Sequence, residues 1–432
     1  MTQRTVRPAP SEKGFGEAFS PVFEPKLPGR HRYGRAWKRL FQSATLMGIV
    51  FLVLLLFNVI NQSFGFVAIE DKVPPTSLAV NGESLENLDE PTLITILQGH
   101  LSAGMIRKLE NDQPLAQRSR GDLYQLVLSL VIQPQVVETW TLSESLFQRG
   151  AIKVAVEGEL TKDHPLVYLR FTSWLNSRFL TSQQSSDPLI AGVRTAFLGS
   201  LWTIAITILV AFPLGVGAAI YLEEYATNNW LNRVIQTNIN NLAGVPSIIY
   251  GMLGLAVFVR ALVQLTSGVL IGGGDPATSN GRTLLSAGLT LALLVLPLII
   301  INGQEAIRAV PNSLREASYG IGATKWQTVS NHVLPSAMPG ILTGTILAIS
   351  RAIGETAPLI VVGAATFINK DPTGIFSQFT TLPIQIYQWT ARPQAEFRNL
   401  AAAAILVLLI LLLSLNAIAI VLRNRYRRAG GY

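Results

Sequence analysis

Six stretches of this 432-residue chain are long and nearly free of charge: residues 44–60, 190–221, 242–265, 284–301, 338–368 and 400–422. An α-helix rises about 1.5 Å per residue, so roughly 20 apolar residues cross a hydrocarbon core of about 30 Å. The first stretch, interrupted only by Asn58, is near the lower limit, and the others are ample. Inside lipid every backbone N–H and C=O needs a partner within the protein, which restricts such stretches to helices. The pattern predicts an all-α polytopic membrane protein with six transmembrane helices. A composition 49% hydrophobic and only 14% charged agrees with it and argues against a soluble enzyme.

The chain carries a net charge of +8, but residues 61–188 contain 15 acids and 10 bases, so the positive charge lies elsewhere. It collects beside the apolar stretches: Lys26, Arg30, Arg32, Arg35, Lys38 and Arg39 before the first, Arg423, Arg425, Arg427 and Arg428 after the last. That distribution is the positive-inside signal and not a nucleic-acid surface. Residues 1–43, rich in proline, read as a disordered cytoplasmic basic tail, and residues 423–432 as a second one. The long polar tail, and the lack of a small-residue cleavage pattern after Ile60, make 44–60 a retained helix and not a signal peptide. With six spans both termini lie in the cytoplasm, and the acidic segment 61–188 lies outside. Residues 91–109 and 122–132 read as amphipathic helices, 136–141 and 152–156 as strands, so the segment is an extracytoplasmic α+β insertion. Without cysteine there are no disulfides or thiolate sites, and the four histidines are too scattered to suggest a metal site. The glycine-rich stretches at 268–283 and 320–325 lack the G-x-x-x-x-G-K-[ST] spacing of a phosphate loop, so no ATP site is expected in this chain.

Between the fourth and fifth spans lies a polar stretch, residues 315–335, REASYGIGATKWQTVSNHVLP. It reads as helix, glycine break at Gly320 and Gly322, second helix, and a proline stop at Pro335. The six-span count puts it on the cytoplasmic side, where a folded loop suits docking of a soluble partner. Glu316 favours a helix N-terminus, and Gly322 permits a turn that a β-carbon would obstruct.

This stretch resembles the EAA loop of ABC importer permeases, with Glu316, Ala317 and Ser318 in the E-A-A positions, Gly322 as the motif glycine, and His332, Val333, Leu334 and Pro335 close to its I-x-L-P ending. Together with AISRAIGETAPL (348–359) and NLAGVPSIIYGMLG (241–254), the chain is similar to the permease subunits of phosphate importers over roughly residues 188–426. The resemblance implies a type I ABC importer permease-like core of five helices within residues 189–422, in a bacterial inner membrane. It implies three kinds of partner: a homologous second permease subunit, two copies of an ATPase that binds ATP and Mg and docks through Arg315, Glu316, Ala317, Ser318, Gly322, Leu334 and Pro335, and an extracytoplasmic phosphate-binding protein.

Arg351 and Glu355 stand four apart within an apolar stretch and share a helix face. A charge at membrane depth costs a few kcal/mol, about 3 on insertion scales, unless it faces a partner or a cavity. Counted from Ser336, Arg351 falls about 22 Å along its helix, beyond the middle of the hydrocarbon. Two readings stay open: a helix clamp in which each charge neutralises the other, or an anion pathway in which the guanidinium meets phosphate oxygens and Glu355 restrains it. Ser247 and Tyr250 line the same pathway or are satisfied helix hydroxyls. Gly340, Gly344 and Ala348 form a small-residue stripe for close helix packing. Three rivals remain: a permease for another oxyanion such as sulfate or molybdate, a membrane sensor or scaffold with the insertion as its ligand domain, and a secondary transporter. The last would show an internal repeat of spans, and none is evident.

Overall fold

The structure, a computed structural model, describes residues 27–80, 83–272, 280–364, 367–368 and 370–429. The remaining residues of both tails and residues 273–279 of the glycine-rich turn lie outside them. The chain divides into two compact units, residues 1–58 and 59–432. The described part of the first is helix α1 (Leu27–Ser63), which ends in the second. The expected tail is thus helical from Leu27: beyond Pro28, which a first turn tolerates, nothing interrupts helical hydrogen bonding before the span.

Strand β1 (Phe64–Asp71) follows α1 without a turn and is the centre of a three-stranded antiparallel sheet, order β2-β1-β3. Its neighbours are β2 (Pro134–Thr139) and β3 (Val167–Ser173), so Phe66 faces Phe171 and Ile69 faces Val136 in register. Between the strands run α2 (Glu90–His100), α3 (Ala103–Asp112), α4 (Arg120–Leu126, continued by a π-helical stretch to Ile132), α5 (Leu142–Phe147), α6 (Arg149–Ala155) and the single turn α7 (Thr161–Asp163). α8 (Ser177–Thr181) follows β3. The insertion is α+β as expected, with two corrections. Residues 91–109 form two helices, because Leu101 ends the first and Ser102 caps the second through the Met105 N–H. Residues 152–156 are helical and not a strand: the alternation of Ile152, Val154 and Val156 reads equally well as one turn-and-a-half of helix, and Ile152 and Val156, four apart, are the ones buried.

The long helices then follow: α9 (Arg194–Ile220, prolonged to Tyr225), α10 (Trp230–Ala243), α11 (Ser247–Gly254, prolonged to Ala261), α12 (Val263–Thr266), α13 (Leu284–Arg308), α14 (Asn312–Gly320), α15 (Lys325–Thr328), α16 (Leu334–Gly354), α17 (Ala357–Val362), α18 (Leu382–Thr390) and α19 (Ala395–Ala429). Five helices among the described residues are long and apolar enough to cross a membrane: His31–Ser63, Arg194–Tyr225, Leu284–Arg308, Lys325–Gly354 and Ala395–Arg425. A sixth counts only if Trp230–Ala243 and Ser247–Ala261, bent by 108° at their junction, make one span. The expected third span at 242–265 is therefore corrected. Ala243 ends the preceding amphipathic helix, with Gly244 as its C-cap, and Pro246, which cannot continue it, is the N-cap of the next. The expected span at 338–368 also breaks, because Glu355 takes an extended conformation and α17 is a separate short helix.

Contacts order the bundle. Gly215 and Gly303 mark close approach of α9 and α13, which run in the same direction. α16 runs the opposite way against α13: a Cβ on Gly340 would press on Ala306 and one on Gly344 would collide with Asn302, which is why the small stripe is small. Ser350 donates to Asn416 at 2.7 Å and Arg423 meets Thr343 at 3.4 Å, so α19 is antiparallel to α16. Residues 312–335 and Arg423 share one end of the bundle. At the other end one apolar core joins Val67, Ile69, Trp174 and Phe179 of the insertion to Ala196, Trp389, Phe397 and Leu400. The insertion is thus bonded to the helices through shared packing, at the end opposite the loop. Trp389 is fully buried in this core, its ring tilted against those of Phe179 and Phe397, while Tyr387 two residues earlier is exposed.

Candidate functional site

The loop at residues 312–335 is built on α14 and a turn. Gly322 has φ +86°, a left-handed conformation that favours glycine, while no atom lies within 4 Å of where a Cβ would stand. The backbone conformation, not a neighbour, demands glycine there. Thr324 then caps α15 reciprocally with Gln327, as a capping box. The hydroxyls of Ser318 and Thr328, both buried, meet at 2.9 Å and tie the two arms together. Pro335 does not stop the second arm. A π-helical turn, Val329–Val333, leads directly into α16, where Leu334 and Pro335 occupy the first turn, so Lys325–Gly354 is one continuous helix. Glu316 stands mid-helix in α14, away from its N-terminus. Glu316 and Ala317 are exposed, Leu334 is half-buried and Pro335 exposed. Tyr319, Ile321 and Trp326 add exposed apolar side chains, Ile321 at 84%.

Two contacts hold this loop to the end of α9. Arg315 donates to Glu224 through Nη2 at 2.7 Å and Nε at 3.1 Å, and to the carbonyls of Val310 at 2.7 Å and Ile307 at 3.0 Å. The pair is well buried, 15% exposed for Arg315 and 7% for Glu224. Lys325 Nζ lies 5.0 Å over the ring of Tyr225. A neighbouring fork joins Arg308 to both oxygens of Glu223 at 2.9 and 2.8 Å, and Gln304 exchanges side-chain hydrogen bonds with Gln236. Glu223 and Glu224 were not among the site residues expected from the sequence. The available signal was two adjacent acids directly after a long apolar helix, facing basic residues on later helices.

Arg351 lies in the last turn of α16, at the far end of the same helix, and Glu355 is its C-cap. Measured from Lys325 the arginine is about 39 Å along the rod, farther than the count from Ser336 suggested, because the helix starts in the loop. The pair meets at 3.4 Å, with Arg351 48% and Glu355 18% exposed. Tyr250 is buried, and its hydroxyl donates to the Leu242 carbonyl at 2.7 Å, bridging the bend between α10 and α11. Tyr250 shares its apolar core with Ala348 and Ala352, the part of α16 that carries Arg351. Ser247, half-buried, is the first residue of α11. The structure brings Arg351, Glu355 and Tyr250 into one region and sets the loop residues at the opposite end of α16.

Residues 211–428 match the model of the family described as binding-protein-dependent transport system inner membrane component. The "Probable ABC transporter permease protein YqgI" of Bacillus subtilis is 32% identical over 249 residues, covering 55% of this chain and 79% of that protein. The phosphate transport system permease protein PstA 1 of Mycobacterium tuberculosis is 38% identical over 239 residues, covering 55% and 72%. The phosphate transport system permease protein PstC of Haemophilus influenzae is 34% identical over 260 residues, covering 57% and 81%. The family match contains the loop, Ser247, Tyr250, Arg351 and Glu355, and excludes the insertion.

Proposed function

We propose, from the premise that the chain belongs to the family of binding-protein-dependent transport system inner membrane components, that this ABC importer permease subunit carries inorganic phosphate. The relatives that are phosphate permeases support the choice of phosphate over sulfate or molybdate. The observation that carries the transport reading is the helix Lys325–Gly354, which has an exposed docking loop at one end and a half-exposed arginine at the other.

In this reading the loop lies in the cytoplasm, as do both termini, and the insertion lies outside a bacterial inner membrane. Arg315 holds the loop in shape while Glu316, Ala317, Tyr319, Ile321 and Trp326 meet a separate ATPase subunit, which binds ATP and Mg; this chain has no ATP site of its own. Arg351 presents donors to the phosphate oxygens on the pathway, and Glu355, one contact away, keeps that attraction weak enough for release. A homologous permease subunit completes the pathway, and an extracytoplasmic binding protein delivers phosphate.

The test is ATP-dependent uptake of labelled phosphate into proteoliposomes holding the assembled complex and its binding protein, with sulfate and molybdate as competitors. Uptake that resists both competitors supports phosphate import. Uptake of sulfate or molybdate in its place moves the assignment to another oxyanion, and ATP hydrolysis with no flux of any of them favours a sensor.

A further inference from the structure

A cavity of about 630 Å³ lies in the insertion, between the sheet, α4 and the chain leading to α9. None of its lining residues belongs to the stretch that matches the permease family. Its size is within the range of small-molecule sites, roughly 300–1,000 Å³, and a bare inorganic oxyanion would fill only a small part of it.

The lining is mixed in character. Ile69 from β1, Leu85, and Leu128 and Ile132 after α4 supply apolar lining. Tyr168 and Arg170, two apart on β3 and therefore on the same face, supply polar lining beside Ile69, the register partner of Tyr168, with Tyr124 and Arg178. Asn176 caps α8 by accepting from the Phe179 N–H, which sets Arg178 in its first turn. Two acids, Asp71 and Glu86, share the lining, so formal charge alone selects no ligand. Hydrogen-bonding capacity does. Asp71 already accepts from the Tyr168 hydroxyl. Arg170 is exposed and, among the described residues, makes no side-chain hydrogen bond, so water is what its donors meet. Arg178 donates to the Gln125 side chain, and its Nε has no partner. Burial pulls the Arg178 guanidinium below its ordinary value, and the like charge of Arg170 adds to that. One half-buried guanidinium with an unpartnered Nε, and a second at the cavity whose donors only water meets, suit oxygen acceptors supplied from outside.

We infer that this cavity binds a small organic anion, its oxyanion head held by Arg170 and Arg178 and its apolar body laid against Ile69, Leu85, Leu128 and Ile132. Leu189 and Ile190, just ahead of α9, close one side, so the bound molecule touches the segment that enters the transport helices.

The test is calorimetric titration of the purified full chain in nanodiscs with phenyl phosphate, inorganic phosphate and phenol. Saturable binding of phenyl phosphate is expected, with inorganic phosphate and phenol each at least about tenfold weaker. Arg170→Gln, which removes a side chain that makes no hydrogen bond to the fold, should weaken phenyl phosphate binding at least about tenfold while the unliganded melting temperature stays put. Arg351→Ala should leave that binding unchanged. No saturable binding of phenyl phosphate overturns the inference. So does equal binding of inorganic phosphate, which removes the apolar lining from recognition, or binding that survives Arg170→Gln and disappears in Arg351→Ala, which moves it to the membrane pathway.

Discussion

Arg315 and Arg351 each face a glutamate in the same bundle, but the two pairs are built differently. Arg315 is buried, grips Glu224 through two nitrogens and uses its remaining donors on the Val310 and Ile307 carbonyls. Arg351 is half exposed and touches Glu355 once, at 3.4 Å. A buried, fully satisfied ion pair is rigid, and removing one partner leaves the other charge stranded in a poor dielectric. A half-exposed pair with one long contact adds little stability and leaves donors available. The first arginine holds a shape, and the second keeps donors that its glutamate does not use, as the proposed pathway role requires.

The comparison is tested most severely by Arg315→Ala. It strands Glu224, 7% exposed, and should cost about 3–5 kcal/mol of stability. Thermal melting in detergent reads this directly, and an unchanged melting temperature would mean the pair is not the rivet described. Arg351→Ala should do the reverse: normal melting, with phosphate uptake down about tenfold or more, as expected for losing hydrogen bonds worth about 1.5–3 kcal/mol to a charged ligand. Unaltered uptake in a stably assembled complex would reduce Arg351 to a helix-end residue. Gly322→Ala forces a Cβ into a left-handed turn and should cost about 1–2 kcal/mol, with Gly322→Asn milder, both measured by melting and by ATPase stimulation in the complex. Lys325→Met removes the cation over Tyr225 and should change stability by only about 0.5–1 kcal/mol, readable in a double-mutant cycle with Tyr225→Leu.

These pairs also mark where the sequence was legible. The Arg351–Glu355 spacing is visible at four residues, and it is the looser contact. Arg315 and Glu224 are 91 residues apart, and no local pattern announces that they meet. The long apolar helices could be read because hydropathy is a property of a continuous stretch. Their ends were harder: Pro335 looked like a stop, but it falls in the first turn of α16, where a proline is tolerated, and a sequence does not show that a π-helical turn runs straight into it. Strand β1 escaped notice because it follows the first apolar helix without a turn residue to separate them. The burial of Trp389 has no local signature either, because it rests on Phe179, which lies 210 positions earlier and reaches it only through the fold.

The continuity of Lys325–Gly354 has a mechanical meaning. A docking surface and an arginine on one stiff rod cannot move independently. A tilt of about 5° imposed at the loop would sweep the other end of a 39 Å lever through roughly 3 Å, about the length of a hydrogen bond. That is enough to make or lose a contact with an anion without any change in local structure around the arginine.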